Sequence, residues 1–211
     1  TDNSTYYASF GYVKQEGIYA KGHADYERYN VRLNYNNVLL DTKSRNWLNK
    51  ISFGAIASYS KSIQTGNTIG NSEAAGLITS MNMLPPTEPV YQTDPAILEQ
   101  YAVTYPNHVI APNGLAYNII EMREITNPLA AMQVSHNQRT MPQNFGANFN
   151  LDVDLLPGLK FKTTYGAEWV FNSIKNVTPV YELNATSKNA TSKVEDKKRE
   201  SSYWQWENVL S

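Results

Sequence analysis

Nine consecutive residues of this chain, Arg28 to Asn36, alternate polar and apolar side chains at every step. Successive side chains of a β-strand point to opposite faces, so this segment predicts a strand with one face of Arg and Asn and another of Tyr, Val and Leu. A soluble sheet shows the same alternation when its apolar side packs inward. Here the pattern recurs in several segments long enough to cross a bilayer, which is typical of the wall of a transmembrane β-barrel.

The overall composition is compatible with such a wall. The 211 residues carry a formal net charge of −1, which argues against a nucleic-acid-binding protein. Mean hydropathy is −0.49 and no apolar run approaches the length of a membrane helix, but half of every barrel strand faces a polar interior. Tyr and Trp, which favour interfaces between apolar and wet surroundings, number 15 and 4 against 6 Phe. The absence of cysteine excludes disulfides and thiolate metal sites.

The sequence predicts an all-β fold, a segment of a large antiparallel transmembrane β-barrel with about six strands and long extracellular loops. The strands are expected near residues 5–15, 27–39, 47–62, 144–155, 159–172 and 201–211. Two long outer loops are expected at 64–141 and 172–199, the first with short helices at Ser72–Met83 and Ile97–Tyr101. The last strand is expected to continue beyond Ser211, so we interpret the chain as a piece of a longer protein.

Loop lengths orient the predicted strands. Bacterial barrels have tight periplasmic turns and extended outer loops, which assigns Asp41–Asn46 and Leu156–Gly158 to the periplasmic side. Trp47 then falls at the inner, periplasmic boundary of the membrane-spanning region. The aromatic residues expected at the outer boundary are Tyr59, Trp169 and Trp204.

Charged and amide side chains occupy the predicted inner faces of the strands. Asp152 and Asp154 are expected to neighbour Lys160 and Lys162 across a tight turn. A dry core would not accept so many charges without close pairing, whereas a wet lumen does. The candidate lumen-facing residues are Arg28, Asn30, Arg32, Asn34, Asp152, Asp154, Lys160 and Lys162.

No catalytic constellation stands out, and we expect no enzymatic activity, metal site or cofactor. His23, His108 and His136 lack the spacing of metal ligands. Asp152 and Glu168 resemble a glycosidase carboxylate pair, but alternate positions on a polar strand face supply the same residues.

Four tyrosines fall in the first long loop. They are candidate contacts for a ligand or partner, through stacking on sugar rings or packing against protein, or they form the core of the loop itself. These residues are Tyr91, Tyr101, Tyr105 and Tyr117.

An ordered series of short segments resembles SusC/RagA-type TonB-dependent outer-membrane transporters of Bacteroidetes. The resemblance spans nearly the whole chain and covers, in order, residues 6–12, 15–18, 28–34, 89–91, 127–130, 156–162 and 204–210. The first of these reads Tyr-Tyr-Ala-Ser-Phe-Gly-Tyr and the last reads Trp-Gln-Trp-Glu-Asn-Val-Leu.

This resemblance implies a large barrel in the cell outer membrane, filled by a plug domain. Such a receptor imports glycans or other oligomeric nutrients, oligosaccharide or peptide, with energy from TonB. The family usually works with a SusD-like surface lipoprotein that covers the barrel. The plug domain, the segment that contacts TonB and the other strands are absent from these 211 residues, so transport belongs to the parent protein.

Three other interpretations remain open at the level of sequence. A soluble glycan-binding β-sandwich would pack its apolar strand faces into one core. A β-rich glycoside hydrolase would use carboxylates such as Asp152 and Glu168. A small closed barrel acting as a passive pore is disfavoured, because about eight strands are the minimum for bacterial barrels.

Overall fold

Six long β-strands dominate the chain, and each pairs with the next long strand in the sequence. The computed structural model describes residues 3–17, 24–42, 47–66, 76–122, 124–135 and 138–211. The strands are β1 Ser4–Gln15, β2 Tyr26–Asp41, β3 Lys50–Thr65, β4 Tyr91–Gln92, β5 Ala116–Tyr117, β6 Arg139–Leu156, β7 Leu159–Thr178, β8 Tyr181–Glu182, β9 Lys188–Asn189 and β10 Lys193–Leu210. The helices are α1 Leu77–Met83, α2 Pro95–Thr104 and α3 Pro128–Ser135.

Six long strands form one antiparallel sheet in the order β1-β2-β3-β6-β7-β10. This confirms the predicted all-β fold with about six antiparallel strands. The register is continuous along β6–β7 except beside the tight turn, between Asp154 and Leu156. Within the described residues, β1 and β10 are the two edges of the sheet.

One face of the sheet is apolar and uncovered. Directly paired residues form rows across it, such as Tyr6, Tyr35, Ala55, Phe149, Tyr165 and Trp206. Tyr6 is 85% exposed, and Trp206 is 64% exposed. The other sheets of the described chain are two-residue ladders in the loops, so no second sheet packs across this face.

The buried core lies in the loops rather than on the sheet. Residues 76–135 and 179–192 fold together at the end of the sheet where β3, β6, β7 and β10 meet them; we call this unit the cap. Among the described residues, Ala167 is the sole buried hydrophobic contributed by the long strands. The buried hydrophobics of the cap are Leu77, Tyr101, Ala111, Ala116, Tyr117, Ile119, Ile120, Ile125, Ala130, Ala131, Met132 and Leu183.

Polar contacts join the two loops of the cap. The Asn184 side-chain amide donates to the carbonyl of Ile125 at 2.9 Å. The backbone N–H of Glu182 donates to the carbonyl of Asn107 at 2.9 Å, and the N–H of Asn107 donates to the Glu182 carboxylate at 2.8 Å. The two connections therefore form one folded unit rather than two separate loops.

The predicted boundaries of the second outer loop are wrong. β7 runs to Thr178 and β10 begins at Lys193, so the connection is 179–192 rather than 172–199. Polar residues predominate on both faces of this extension, where Lys175 faces Asp196 at 4.0 Å. The backbone ladder therefore continues after the polar–apolar alternation that reveals a strand in sequence has ended.

The first long loop is also shorter than predicted, and its described residues contain more helix. β3 reaches Thr65 and β6 starts at Arg139, against a predicted loop of 64–141. The expected helix at Ser72–Met83 appears as α1 from Leu77, and residues 72–75 of that prediction lie outside the described residues. The helix expected at Ile97–Tyr101 is longer, Pro95–Thr104, and α3 was not predicted at all.

Trp47 lies just before β3, which begins at Lys50 rather than near 47. Leu48, between them, has a positive φ of 54°, which turns the backbone before the strand begins. In the described residues, no helix combines the length and apolarity needed to cross a membrane.

Candidate binding face

The eight predicted lumen-facing residues all lie on the polar face of the sheet. Arg28 is paired with Ser62, and Arg32 lies between Ser9 and Ser58. Asp152 is paired with Lys162, and because side chains alternate, the members of each pair point to the same side. We call the end of the sheet beside Leu156–Leu159 the turn end, and the opposite end the cap end.

Charges near the turn end are paired with one another. Lys160 Nζ lies 3.7 Å from Asp154 Oδ1, and Lys162 Nζ lies 3.7 Å from Asp152 Oδ1. These contacts confirm the predicted pairing across the tight turn. The four charges cancel locally, so this part of the face presents little net field.

A cavity of about 560 Å³ opens on the cap half of the same face. Its floor is low because small residues, Ser58, Gly146 and Gly166, lie between longer ones. Charged, amide and aromatic groups rise around that floor. These are Arg28, Asn30, Arg32, Asn144, Asn148, Glu168, Tyr203 and Gln205.

Within the described residues, the arginines of this cavity form no ion pairs. Across the described part of the chain, neither Arg28 nor Arg32 forms an ion pair, and the same holds for Glu168. Arg32 and Glu168 are three strands apart, a separation of about 14 Å between their backbones. The cavity is therefore wide enough for a ligand between them.

Asparagines on the polar face lie over glycines of the neighbouring strands. Gly54 is paired with Asn36 on one side and Asn150 on the other. A Cβ at this position would lie 2.8 Å from Asn36 Oδ1 and closer still to Asn150 Oδ1. Asn36 in turn donates to Asn34 Oδ1 at 3.2 Å, so glycine leaves room for a network of side-chain amides.

Asp152 and Glu168 are too far apart for glycoside hydrolysis. Asp152 is paired with Lys162, and Glu168 follows six residues further along β7. At about 3.3 Å per residue the separation is about 20 Å, against roughly 5–9.5 Å in glycosidases. These two carboxylates do not form a catalytic pair.

The described histidine lies in the cap. His108 Nδ1 lies 2.9 Å from the carbonyl oxygen of Tyr105, a local contact within a turn. His23 and His136 lie outside the described residues. Where side chains are described, no group of three or more potential metal ligands occurs.

Two of the four loop tyrosines belong to the cap core. Tyr101 is 6% exposed; its hydroxyl donates to Asn118 Oδ1 at 3.3 Å and accepts from the backbone N–H of Ile119 at 3.0 Å. Tyr117 is 7% exposed, and its burial raises the pKa of its hydroxyl. Tyr91 stacks on Tyr117 with ring centroids 5.4 Å apart and is half-buried, as is Tyr105. Tyr91 and Tyr105 thus retain exposed surface for a contact.

Of the predicted boundary aromatics, three lie in two adjacent rows of the apolar face and one precedes β3. Tyr59 and Trp169 lie in one row on either side of Phe145, whose ring centroid is 5.6 Å from that of Trp169. Trp204 lies one row nearer the turn end, paired with Ala167. Trp47, before β3, lies at the turn end.

Several cavity residues were missed by sequence reasoning. Asn144, Asn148 and Gln205 were recognisable as polar-face positions of alternating strands, but their lining of one cavity with Arg32 depends on the register of up to four successive strand pairs. Comparison with known proteins yields no matching family model and no matching curated protein.

Proposed function

We propose that this chain is part of the barrel wall of an outer-membrane TonB-dependent receptor of the SusC/RagA type, which imports oligosaccharides or peptides. The observation that carries the proposal is the single sheet with one exposed apolar face and one polar face, next to loops that hold the packed core. A bilayer on one side and a wet lumen on the other would satisfy both faces.

The apolar face has the height of a membrane-spanning band. From Tyr59 to Ile51 it covers eight residue steps of β3, about 26 Å along the strand. With the strand tilt of about 40° found in barrels, this corresponds to about 20 Å, and the rings of Tyr29 and Phe171 lie one row beyond Tyr59. Outer-membrane barrels have an apolar band of about 25 Å.

Exposure of this face to water would be costly. Phe10, Trp204 and Leu210 are each more than 60% exposed. Each large apolar side chain transferred from water to an apolar phase contributes about 1.5–3 kcal/mol. Lipid contact would therefore stabilise this sheet as a core stabilises a soluble one.

The alternatives have less support. A β-sandwich module would bury the apolar face beneath a second sheet, whereas the other sheets of the described chain are two-residue ladders in the loops. A glycoside hydrolase acting through Asp152 and Glu168 would need them much closer together.

Partners follow from the same proposal. The cap would face the cell exterior, where a SusD-like lipoprotein would contact it, while TonB would act through a part of the parent protein outside this chain. The resemblance of the sequence blocks, in their order, supports this assignment.

Fractionation of cells that express the parent protein tests the proposal. We expect recovery in the outer-membrane fraction, a heat-modifiable band on electrophoresis, and nutrient uptake that stops when TonB is removed. Recovery in the soluble fraction, or uptake that is unchanged without TonB, would contradict it.

A further inference from the structure

Cations are concentrated at the cap end of the polar face. Among the described residues, five cations and two carboxylates face inward there, whereas three cations and four carboxylates face inward at the turn end. The cap-end groups are Arg28, Arg32, Lys193, Lys197 and Arg199 with Glu168 and Glu195. The turn-end groups are Lys50, Lys160 and Lys162 with Asp41, Asp152, Asp154 and Glu207.

The excess positive charge is not neutralised within this wall. Glu195 is already held by Lys193 and Lys197, each at 3.0 Å. Arg28, Arg32 and Arg199 have no ion-pair partner in the described ranges of the chain. Within the described residues of this chain, whose net charge is −1, three guanidinium groups without ion-pair partners thus lie on one part of one face.

Neighbouring side chains extend this cationic surface with neutral hydrogen-bonding groups. Arg28 and Arg32 are four residues apart on the same face, about 13 Å along β2, with Asn30 between them. Ser58, Ser60 and Ser62 of β3 are paired with Arg32, Asn30 and Arg28 respectively. Guanidinium groups bind carboxylates through paired hydrogen bonds, and hydroxyls and amides bind the polar oxygens between such charges.

We propose that the cavity beside Arg28 and Arg32 binds a carboxylate-bearing oligomer, so that the imported nutrient is acidic rather than neutral. This inference rests on the proposed transport function and specifies its substrate class. The two arginines would hold carboxylates of the ligand, with its neutral groups over Ser58 and Gly146. Glu168, on the far side of the cavity, would repel a carboxylate placed near it and so limit where the acidic groups lie.

Binding to the purified parent transporter, measured by titration calorimetry, tests the inference. The probes are hexagalacturonate, hexaglutamate and, as a neutral oligomer of similar length, maltohexaose. We expect at least one acidic probe to bind and maltohexaose to bind at least tenfold more weakly. Binding of hexagalacturonate alone identifies an acidic sugar, binding of hexaglutamate alone an acidic peptide, and binding of both a site that reads carboxylates on either backbone.

Matched variants test whether the affinity for the acidic probe depends on the arginines of the cavity. Arg28→Gln/Arg32→Gln should weaken binding of the acidic probe by about tenfold or more, because each charge-assisted hydrogen bond contributes more than a neutral one. Lys61→Gln/Arg139→Gln removes the same charge from the opposite face of the same sheet and should leave the affinity unchanged, since charges beyond about 8 Å are screened at physiological salt. Glu168→Gln should strengthen binding.

Four results would overturn the inference: no binding of either acidic probe, equal binding of maltohexaose, equal losses in the two double variants, or an unchanged or reduced affinity in Glu168→Gln. These results are distinct from failure of the proposed function. A parent protein recovered from the outer membrane with TonB-dependent uptake, but with no preference for acidic probes, would contradict the substrate class and leave transport standing.

Discussion

Individual residues of the polar face are constrained by the close approach of neighbouring strands. Gly54 is buried between the amides of Asn36 and Asn150, whereas Gly166 has more room beside Asn148. Alternation alone marks all these positions as belonging to the polar face of the sheet. It does not reveal which glycine supports an amide network, because that depends on which residues the register places opposite one another.

Gly54→Ala should lower the free energy of unfolding of the protein in lipid by about 1–3 kcal/mol, because the new methyl group displaces two amide side chains. The measurement is the urea dependence of unfolding from liposomes. Gly166→Ala is the matched control, since its Cβ would lie 3.2 Å from the movable Asn148 Nδ2. An equal loss of unfolding free energy in both variants would show that contacts with the amides around Gly54 do not determine the loss in Gly54→Ala.

Glu195 lies on β10 beyond the apolar band, outside the proposed membrane-spanning part. The ammonium groups of Lys193 and Lys197 lower the pKa of its carboxyl from 4.5 to about 2. The contribution of this carboxylate to stability is present above the pKa of the unfolded chain and is lost as pH falls from about 4.5 to about 2. Between pH 5 and 8 this contribution should be fully present, so Glu195 should add no pH dependence to stability in that range.

Carboxyl chemical shifts followed by NMR during acidification test the environment of Glu195. In Lys193→Gln/Lys197→Gln its pKa should rise towards the ordinary value, because both neighbouring cations are lost. A pKa that stays near 2 in the double variant would show that other groups lower it.

Among the secondary-structure elements, long strands were easier to predict from the sequence than loops. The six strands were located because polar and apolar side chains alternate strictly along most of their length. The end of β7 and the start of β10 were misplaced, because polar residues predominate on both faces of the sheet there. α2 and α3 each begin with an Asx-Pro pair, Asp94-Pro95 and Asn127-Pro128, in which the Asx side chain accepts backbone N–H groups of the first turn. The Asx-Pro pairs can be read from the sequence as helix starts. The packing of Leu183 against the first loop cannot be read in this way.

Asn184→Ala should loosen the cap and leave the sheet intact. Asn184 is 3% exposed, and besides its bond to Ile125 its Oδ1 accepts from the backbone N–H groups of Thr186 and Ser187 at 3.0 and 2.7 Å. Loss of these bonds leaves buried groups unsatisfied, at a cost of about 2–3 kcal/mol.

Hydrogen exchange measures this change. Amide protons of residues 124–127 and 185–187 should exchange faster in Asn184→Ala, with those of β6 and β7 unchanged. Asn113→Ala is the control, because Asn113 is exposed and accepts a single bond, from the N–H of Leu115 at 3.1 Å. Equal protection in wild type and Asn184→Ala would contradict the view that this residue joins the two loops.

Across the molecule, burial is divided between two regions. The cap has a packed core and polar contacts that join its two loops, whereas the sheet leaves its apolar rows open. An apolar phase that covers this face would stabilise the sheet, and in the proposed function that phase is lipid.

Site-directed spin labelling of β2 tests the lipid assignment residue by residue, because these 211 residues contain no cysteine of their own. Single cysteines at positions 30 to 35 of the parent protein in liposomes would be labelled, and their collisions with oxygen and with a water-soluble nickel chelate measured. We predict high oxygen accessibility at 31, 33 and 35 and high nickel accessibility at 30, 32 and 34. Low accessibility to both reagents at 31, 33 and 35 would place these side chains in a closed protein interior and contradict contact with lipid.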